Sequence, residues 1–138
     1  MSDHIQVEQA GAVQIVRMNR AQKKNALTSQ MYLAIAGAIK AAQLDRRIRV
    51  SVITGSGDSF SAGNDLGDLA ARPGAKPGLL SASTPPFQQL VEAMMAADKP
   101  VIAAVNGLAV GIGVTMLLHC DLVYASDTAR CTMPFVNL

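Results

Sequence analysis

The sequence predicts an α/β fold with a largely parallel sheet. Three observations carry that expectation. Short runs rich in Val, Ile and Ala alternate with longer runs whose apolar residues return every three or four positions, the periods of strand and amphipathic helix. The resulting order, ββ-α-β-α-α-β-α-β-β, sets helices between successive strands, which favours parallel pairing through crossovers. A chain of 138 residues, half of them hydrophobic, is long enough for one domain with a real core.

The first element is a hairpin. In HIQVEQAGAVQIVRMNR (4–20), Ile5 and Val7 alternate with polar residues, QAGA turns, and Val13, Ile15 and Met18 continue. A loop, RAQKKNAL, follows. Thr28 or Ser29 then caps a helix that runs to about Asp45, because a side-chain oxygen there accepts from a first-turn N–H. Met31, Ile35, Ile39 and Ala42 form its buried face. VSVIT reads as a buried strand ended by GSGDS, and FSAGNDLGDLAA as a turn leading into a short helix. RPGAKPGLLSASTPP (72–86) reads as a mobile loop or lid. PFQQLVEAMMAAD is helical, with Phe87, Leu90, Val91 and Met94 on one face. KPVIAAV is a strand, NGLAVG a loop, IGVTMLLHC a buried helix and DLVYAS a strand, and ARCTMPFV begins another. The run stops at PFVNL with no closing helix and reads as an interruption. A strand ending there would leave an apolar surface open.

Composition narrows the partners. Twelve Lys and Arg stand against ten Asp and Glu, too even a balance for a nucleic-acid binder. The run DRRIR, with Arg46, Arg47 and Arg49, reads as a solvated face. Cys120, Cys131, His4 and His119 fall at no metal-ligand spacing, so neither a metal site nor a disulfide framework is expected. The first residues are charged and hold no apolar signal region, which points to the cytoplasm. VIAAVNGLAVGIGVTMLL (101–118) approaches the ~20 residues of a membrane span. Its central Asn-Gly turns the chain, however, and its β-branched first part reads as strand, so no membrane partner is expected. Charged residues are only 16% of the chain, below the usual quarter, which implies that partner subunits or further chain cover part of its surface.

The stretch GLAVGIGVT (107–115) has no catalytic side chain. Its glycines permit close backbone approach, and Gly111 and Gly113 lie where a helix opens. The first N–H groups of a helix have no internal partner and carry partial positive charge, so that of Ile112 can face a developing anion. SAGND has the same logic, with Ala62 and Gly63 ahead of the N–H of Asn64 and a helix beginning near Asp65. Two such amides aimed at one point make an oxyanion hole. Taken singly, each stretch reads more readily as structure, the first as close helix contact and the second as an ordinary helix start. Neither matches a phosphate-binding loop.

Together and in order, NRAQKKNALT, VITGSGDSFSAGNDL and KPVIAAVNGLAVGIGVTMLLHCDLVYAS resemble the crotonase superfamily of enoyl-CoA hydratases and isomerases. The resemblance covers essentially the whole chain and the N-terminal part of a typical member, roughly half of it. It implies a crotonase-like spiral of ββα units, with residues 1–138 forming a core domain that lacks the C-terminal part of the family fold. It also implies a homotrimer or a dimer of trimers. The substrate it implies is an acyl-CoA thioester, with coenzyme A as part of that substrate and no separate cofactor. Carried over by position, the amides of Asn64 and Ile112 hold the thioester oxygen. Lys23, Lys24, Asn25, Ala26 and Leu27 lie along the CoA nucleotide. Ser61, Ala62, Gly63, Asp65 and Leu66 line the CoA channel, Gly111 belongs to the amide loop, and Thr115 lies in the substrate site; Phe135 and Met133 are expected either to line the acyl pocket or to pack in the core.

The resemblance also bears on the reaction. Hydratase members use two glutamates, and the matching positions here are Thr115 and Phe135, neither of which is a carboxylate. Isomerase members use one, and FSAGNDL with NGLAVGIGVTMLLHCDLVYAS looks most like the Δ3,Δ2-enoyl-CoA isomerases of peroxisomal type. Their base lies a few residues past the segment matching PFVNL, so it is expected beyond Leu138. An enoyl-CoA hydratase-like protein of another reaction, or a non-catalytic acyl-CoA-binding or assembly subunit, are the alternatives. Among the carboxylates here, Asp65 is expected to cap a helix, Asp68 to be solvated or at the pocket mouth, and Asp121 to bond backbone. His119 and Cys120 are expected to be structural.

Overall fold

Strands β1 (Ile5–Ala10) and β2 (Val13–Met18) form the antiparallel hairpin, in register from Ile5 opposite Met18 to Ala10 opposite Val13. The structure is a computed structural model and describes residues 3–71 and 84–136. The buried face of β2 is not the expected one. Gln14, Val16 and Met18 are buried, while Val13 and Ile15 are half-buried. With a side-chain period of two, burying Val16 and Met18 sends Val13 and Ile15 to the opposite face. Gln14 is tolerated inside because its Nε2 donates to the Ala38 carbonyl at 3.1 Å.

Helix α1 (Ser29–Leu44) begins as read: Thr28 Oγ1 accepts from the Met31 N–H at 3.3 Å, and Asp45 ends the helix. Its buried face holds the four expected residues and adds Tyr32 and Ala36. At its far end, Lys99 Nζ donates to the carbonyls of Ala42 and Asp45 at 2.6 and 2.7 Å, satisfying carbonyls that the helix leaves unpaired. Two shorter helices follow along the chain, α2 (Leu66–Ala70) and α3 (Pro86–Met95). Helix α3 lies against α1 and buries Leu90, Ala93 and Met94. Phe87 and Val91 were expected on that face, but Phe87 is exposed and Val91 half-buried. The apolar face has shifted towards Ala93.

The rest of the chain winds in repeated turns between two sheets. Strands β3 (Val50–Gly55), β5 (Val101–Val105) and β7 (Leu122–Ala125) add in parallel to the hairpin, giving the order β1-β2-β3-β5-β7. Strands β4 (Ser59–Ser61), β6 (Leu108–Val110) and β8 (Arg130–Thr132) form a second, parallel sheet in that order. Each turn closes on a helical segment. These are α2, then α4 (Ile112–Thr115) with its 3-10 continuation Met116–His119, then a 3-10 turn at Pro134–Val136. This is the ββα spiral that the resemblance implied.

Several expectations are corrected. The segments containing β4 and β6 were read as turn and loop, and both hold strands. At three residues each, they show no alternation, and their pairing depends on the turn stacked beside them. The helix read over 112–120 is one α turn followed by 3-10, and the strand opened at Ala129 ends at Thr132. The proposed lid lies outside the described residues up to position 83. All four residues of β7 are exposed, as are Phe135 and Val136, so the last turn carries the open apolar surface expected of it. Among the described residues, no helix is long and apolar enough to cross a membrane.

Candidate active site

One buried amide organises the loop before α1. Asn25 (φ 55) donates from Nδ2 to the Ser56 and Ser59 carbonyls at 2.9 and 2.7 Å, and its Oδ1 accepts from the Arg20 N–H at 2.9 Å. Its own carbonyl accepts from Ser61 Oγ at 2.9 Å, and that hydroxyl also accepts the Gly63 N–H at 3.1 Å. Residues 20–27 are thereby tied to the corner between β3 and β4. The side chains of Asn25, Ser61 and Leu27 are all buried. Their part in any binding path is to shape it.

The segment after β4 runs beside Leu27. The Leu27 N–H donates to the Gly63 carbonyl at 2.7 Å, and the Asp65 N–H donates to the Leu27 carbonyl at 2.9 Å. This is a parallel bridge between Leu27 and Asn64, in which the bonds go to Asn64's neighbours. The Asn64 N–H is trans to the Gly63 carbonyl across one peptide plane. Leu27 holds that carbonyl, so the N–H points the other way. The peptide between Gly111 and Ile112 obeys the same rule. The Gly111 carbonyl accepts from the Val114 and Thr115 N–H groups at 2.9 and 3.0 Å, so the Ile112 N–H points out of the start of α4. Among the described residues, neither N–H donates to another protein group.

Glycine lets the two segments touch. A Cβ on Gly63 would stand 2.8 Å from the Val110 carbonyl oxygen and 3.9 Å from the Ile112 nitrogen. One on Gly113 would stand 2.6 Å from the Ser61 carbonyl oxygen. The two carbonyl contacts are closer than a side chain permits.

Two hollows flank Asn64. An outer groove of about 590 Å³ is lined by Arg20, Lys23, Ala26, Ala62, Asn64, Asp65, Leu66 and Gly67. A second, half-open cavity of about 190 Å³ is lined by Tyr32, Asn64, Phe87, Ile112, Thr115 and Phe135. Asn64 borders both. The groove thus gathers Lys23, Ala26, Ala62, Asp65 and Leu66 from the expected set, and the cavity gathers Ile112, Thr115 and Phe135. Lys24 is not in either lining, and its Nζ pairs with Asp58 at 2.7 Å. Lys23 has no ion pair among the described residues. Gly111 lies beside the cavity, 4.0 Å from Phe135 by its added Cβ.

Four lining residues were not singled out as site residues: Arg20, Gly67, Tyr32 and Phe87. Arg20 and Gly67 stood only inside the segments RAQKKNAL and FSAGNDLGDLAA. Phe87 was assigned to the core. Tyr32 was not mentioned, although a tyrosine on a buried helix face signals that its hydroxyl needs a partner. Here that hydroxyl donates to Asn64 Oδ1 at 2.6 Å.

The carboxylates nearby are structural. Asp65 caps α2 by accepting the Asp68 N–H at 2.8 Å, and pairs with Arg20 Nη1 at 2.7 Å. Asp68 was expected to be solvated or at the pocket mouth. Instead its Oδ2 accepts from Ser29 N–H and Oγ, at 3.1 and 2.7 Å, joining α2 to the start of α1. Asp121 accepts the Val101 N–H at 2.8 Å, as expected. Burial pushes the Cys120 thiol up to about 11, with the Asp121 charge adding to it, which suits a structural thiol and not a nucleophile.

The Asp68 N–H and then the Arg20 guanidinium hold the Asp65 carboxyl below the usual carboxylate range. A lowered folded-state pKa stabilises the fold above the unfolded value, about 3.9, and that contribution disappears as pH falls through the folded value. Asp65→Asn should therefore lower the thermal midpoint by its full amount above about pH 5, with the gap from wild type closing as pH falls below the unfolded value. A gap independent of pH would contradict the assigned charge interaction.

Residues 8–138 match the family model described as enoyl-CoA hydratase/isomerase. The chain is 40% identical over 137 residues to enoyl-CoA delta isomerase 3, peroxisomal, of Mus musculus, covering 99% of this chain and 43% of that one. It is 37% identical over 126 residues to 2,3-dehydroadipyl-CoA hydratase of Escherichia coli (strain K12), covering 91% and 48%. The solved structure of Pseudomonas aeruginosa OdaA matches with a TM-score of 0.88 and 46% identity, over 99% of this chain and 53% of that one. The chain spans about half the length of these relatives.

Proposed function

This chain belongs to the enoyl-CoA hydratase/isomerase family, the crotonase superfamily, and from that premise we propose that it binds an acyl-CoA thioester and holds the thioester oxygen between the amides of Asn64 and Ile112. In this reading the protein serves an enoyl-CoA double-bond isomerase of fatty acid metabolism. One observation carries it: Asn64 borders both the groove and the second cavity, and Ile112 borders that cavity. The groove takes CoA, with Lys23 and Arg20 beside its phosphates. The cavity takes the thioester and the first carbons of the acyl chain.

The chemistry follows from the two amides. A base removes a proton from C2 of a 3-enoyl thioester. The electron pair moves onto the thioester oxygen, giving a dienolate that the two N–H groups stabilise. Return of the proton at C4 leaves the double bond between C2 and C3. Preorganised donors of this kind act on charge that develops in the transition state. One carboxylate suffices for this shuttle, whereas hydration needs one to activate water and one to deliver a proton. Tyr32, Asn64, Phe87, Ile112, Thr115 and Phe135 include no carboxylate. By the resemblance to the isomerase members, the base is proposed to be a glutamate within about one helical turn beyond Leu138. A cytoplasmic homotrimer or dimer of trimers, with no cofactor apart from the CoA of the substrate, completes the proposal.

The test uses 3-hexenoyl-CoA. The 138-residue chain should bind it without turnover, and a chain extended through the base should convert it to the conjugated 2-enoyl thioester. Hydration of 2-hexenoyl-CoA by the extended chain would favour a hydratase. Binding without turnover by both chains would favour a non-catalytic acyl-CoA binder. No binding of any CoA thioester would remove support for the whole reading.

A further inference from the structure

We propose that Tyr32 is a positioning residue, whose hydroxyl locks the peptide that carries the Asn64 N–H. The inference rests on the two-amide reading for its consequence in catalysis, but its structural content stands apart from that reading.

On its glycine side, the peptide between Gly63 and Asn64 is held by the Gly63 N–H, which donates to Ser61 Oγ at 3.1 Å. Gly63 adopts φ 92, and with no Cβ its dihedrals are soft. A concerted rotation about the two bonds flanking this peptide would change the direction of the Asn64 N–H. Two contacts oppose that rotation. The Leu27 N–H grips the Gly63 carbonyl at 2.7 Å. On the other side, the Asn64 side chain reaches α1, where the Tyr32 hydroxyl donates to Oδ1 at 2.6 Å. Tyr32 is fully buried in the core face of a 16-residue helix. Asn64 itself is exposed. An exposed residue is thus fastened by its side chain to the buried face of α1, and the rotation of its backbone is limited with it. Tyr32, Asn64 and Ile112 all line the same cavity, so this restraint acts at the point where the two donors must agree in direction. A donor displaced by even a fraction of an ångström loses much of its worth in a transition state.

Tyr32→Phe keeps the ring and deletes only the hydroxyl. Asn64→Ala removes the same bond from the exposed partner, leaves the N–H in place and does not disturb the core. In the ligand-free protein, both variants should broaden the Asn64 amide resonance by exchange, with Ile112 unchanged. With bound butyryl-CoA, the wild type should lower the thioester carbonyl stretching frequency, and both variants should lose part of that shift. The double variant should lose no more than either single one, because each single substitution already breaks the bond between the two side chains. An Asn64 amide resonance as sharp in Tyr32→Phe as in wild type would overturn the proposal. So would additive losses in the double variant. No carbonyl shift in the wild type would instead count against the two-amide reading, and the amide measurements would still decide the role of Tyr32.

Discussion

Replacing Ile112 with proline is expected to cut isomerase turnover by about 10²–10³, the usual cost of removing one oxyanion donor. The measurement is kcat for 3-hexenoyl-CoA in a chain extended through its base. Substituting alanine would not test the idea, because the N–H would remain. Proline deletes it, and the position can accept a proline ring. Ile112 is the first residue of α4, where a proline suits the helix and where the N–H has no helical partner. The preceding residue is the usual obstacle, since proline forces it out of helical dihedrals. Gly111 is already outside them, at φ 58 and ψ −118, the mirror image of an extended conformation that only glycine adopts readily. Its N–H bond to the Thr132 carbonyl at 2.9 Å is untouched. In the 138-residue chain, the same substitution should abolish most of the thioester carbonyl shift. A folded Ile112→Pro protein with wild-type turnover would show that another group carries the oxyanion.

Asn25→Ala is expected to cost about 3–5 kcal/mol of stability, read from urea unfolding midpoints. The carboxamide is buried and bonds three backbone groups. Its loss strands the Ser56 carbonyl and the Arg20 N–H at about 1–3 kcal/mol each. The Ser59 carbonyl is less affected, because Asn106 Nδ2 also donates to it at 3.1 Å. The left-handed backbone at Asn25 adds about 1 kcal/mol against alanine. Asn25→Gly should relieve that last part alone, so the difference between the two variants isolates it. Asn25→Asp should be no remedy, because a carboxylate would face the Ser56 and Ser59 carbonyls that now accept from an amide. Groove and cavity should suffer together, since Ser61 and Gly63 hang from the Asn25 carbonyl. Wild-type stability in Asn25→Ala would mean that the loop does not depend on this residue.

Much of the fold was legible. The Thr28 cap and the face Met31, Ile35, Ile39 and Ala42 followed from local chemistry, because a 16-residue helix offers several turns over which a period can be counted. The strands β3, β5 and β7 followed from β-branched runs. The short strands β4 and β6 did not, because three residues contain no period, and their bonds come from neighbouring turns of the spiral. The face of β2 was misjudged for a related reason. Gln14 is buried because a carbonyl of α1 waits for it, and no local rule reveals that carbonyl.

The candidate site divides along the same line. SAGND and GLAVGIGVT declare by themselves that main chain must approach main chain there, because glycine and alanine leave nothing else for those positions to present. Sequence therefore determined the family, the alternation of strand and helix, and the two segments whose amides are available. Tertiary structure alone decided the rest: that Lys23 faces the groove while Lys24 pairs with Asp58, that Asp68 joins two helices, and that Tyr32 meets Asn64. These are relations between side chains brought together across 32 to 39 positions of chain. The direction of a side chain in space is set by the elements packed around it, and a single sequence records the residue without recording that direction.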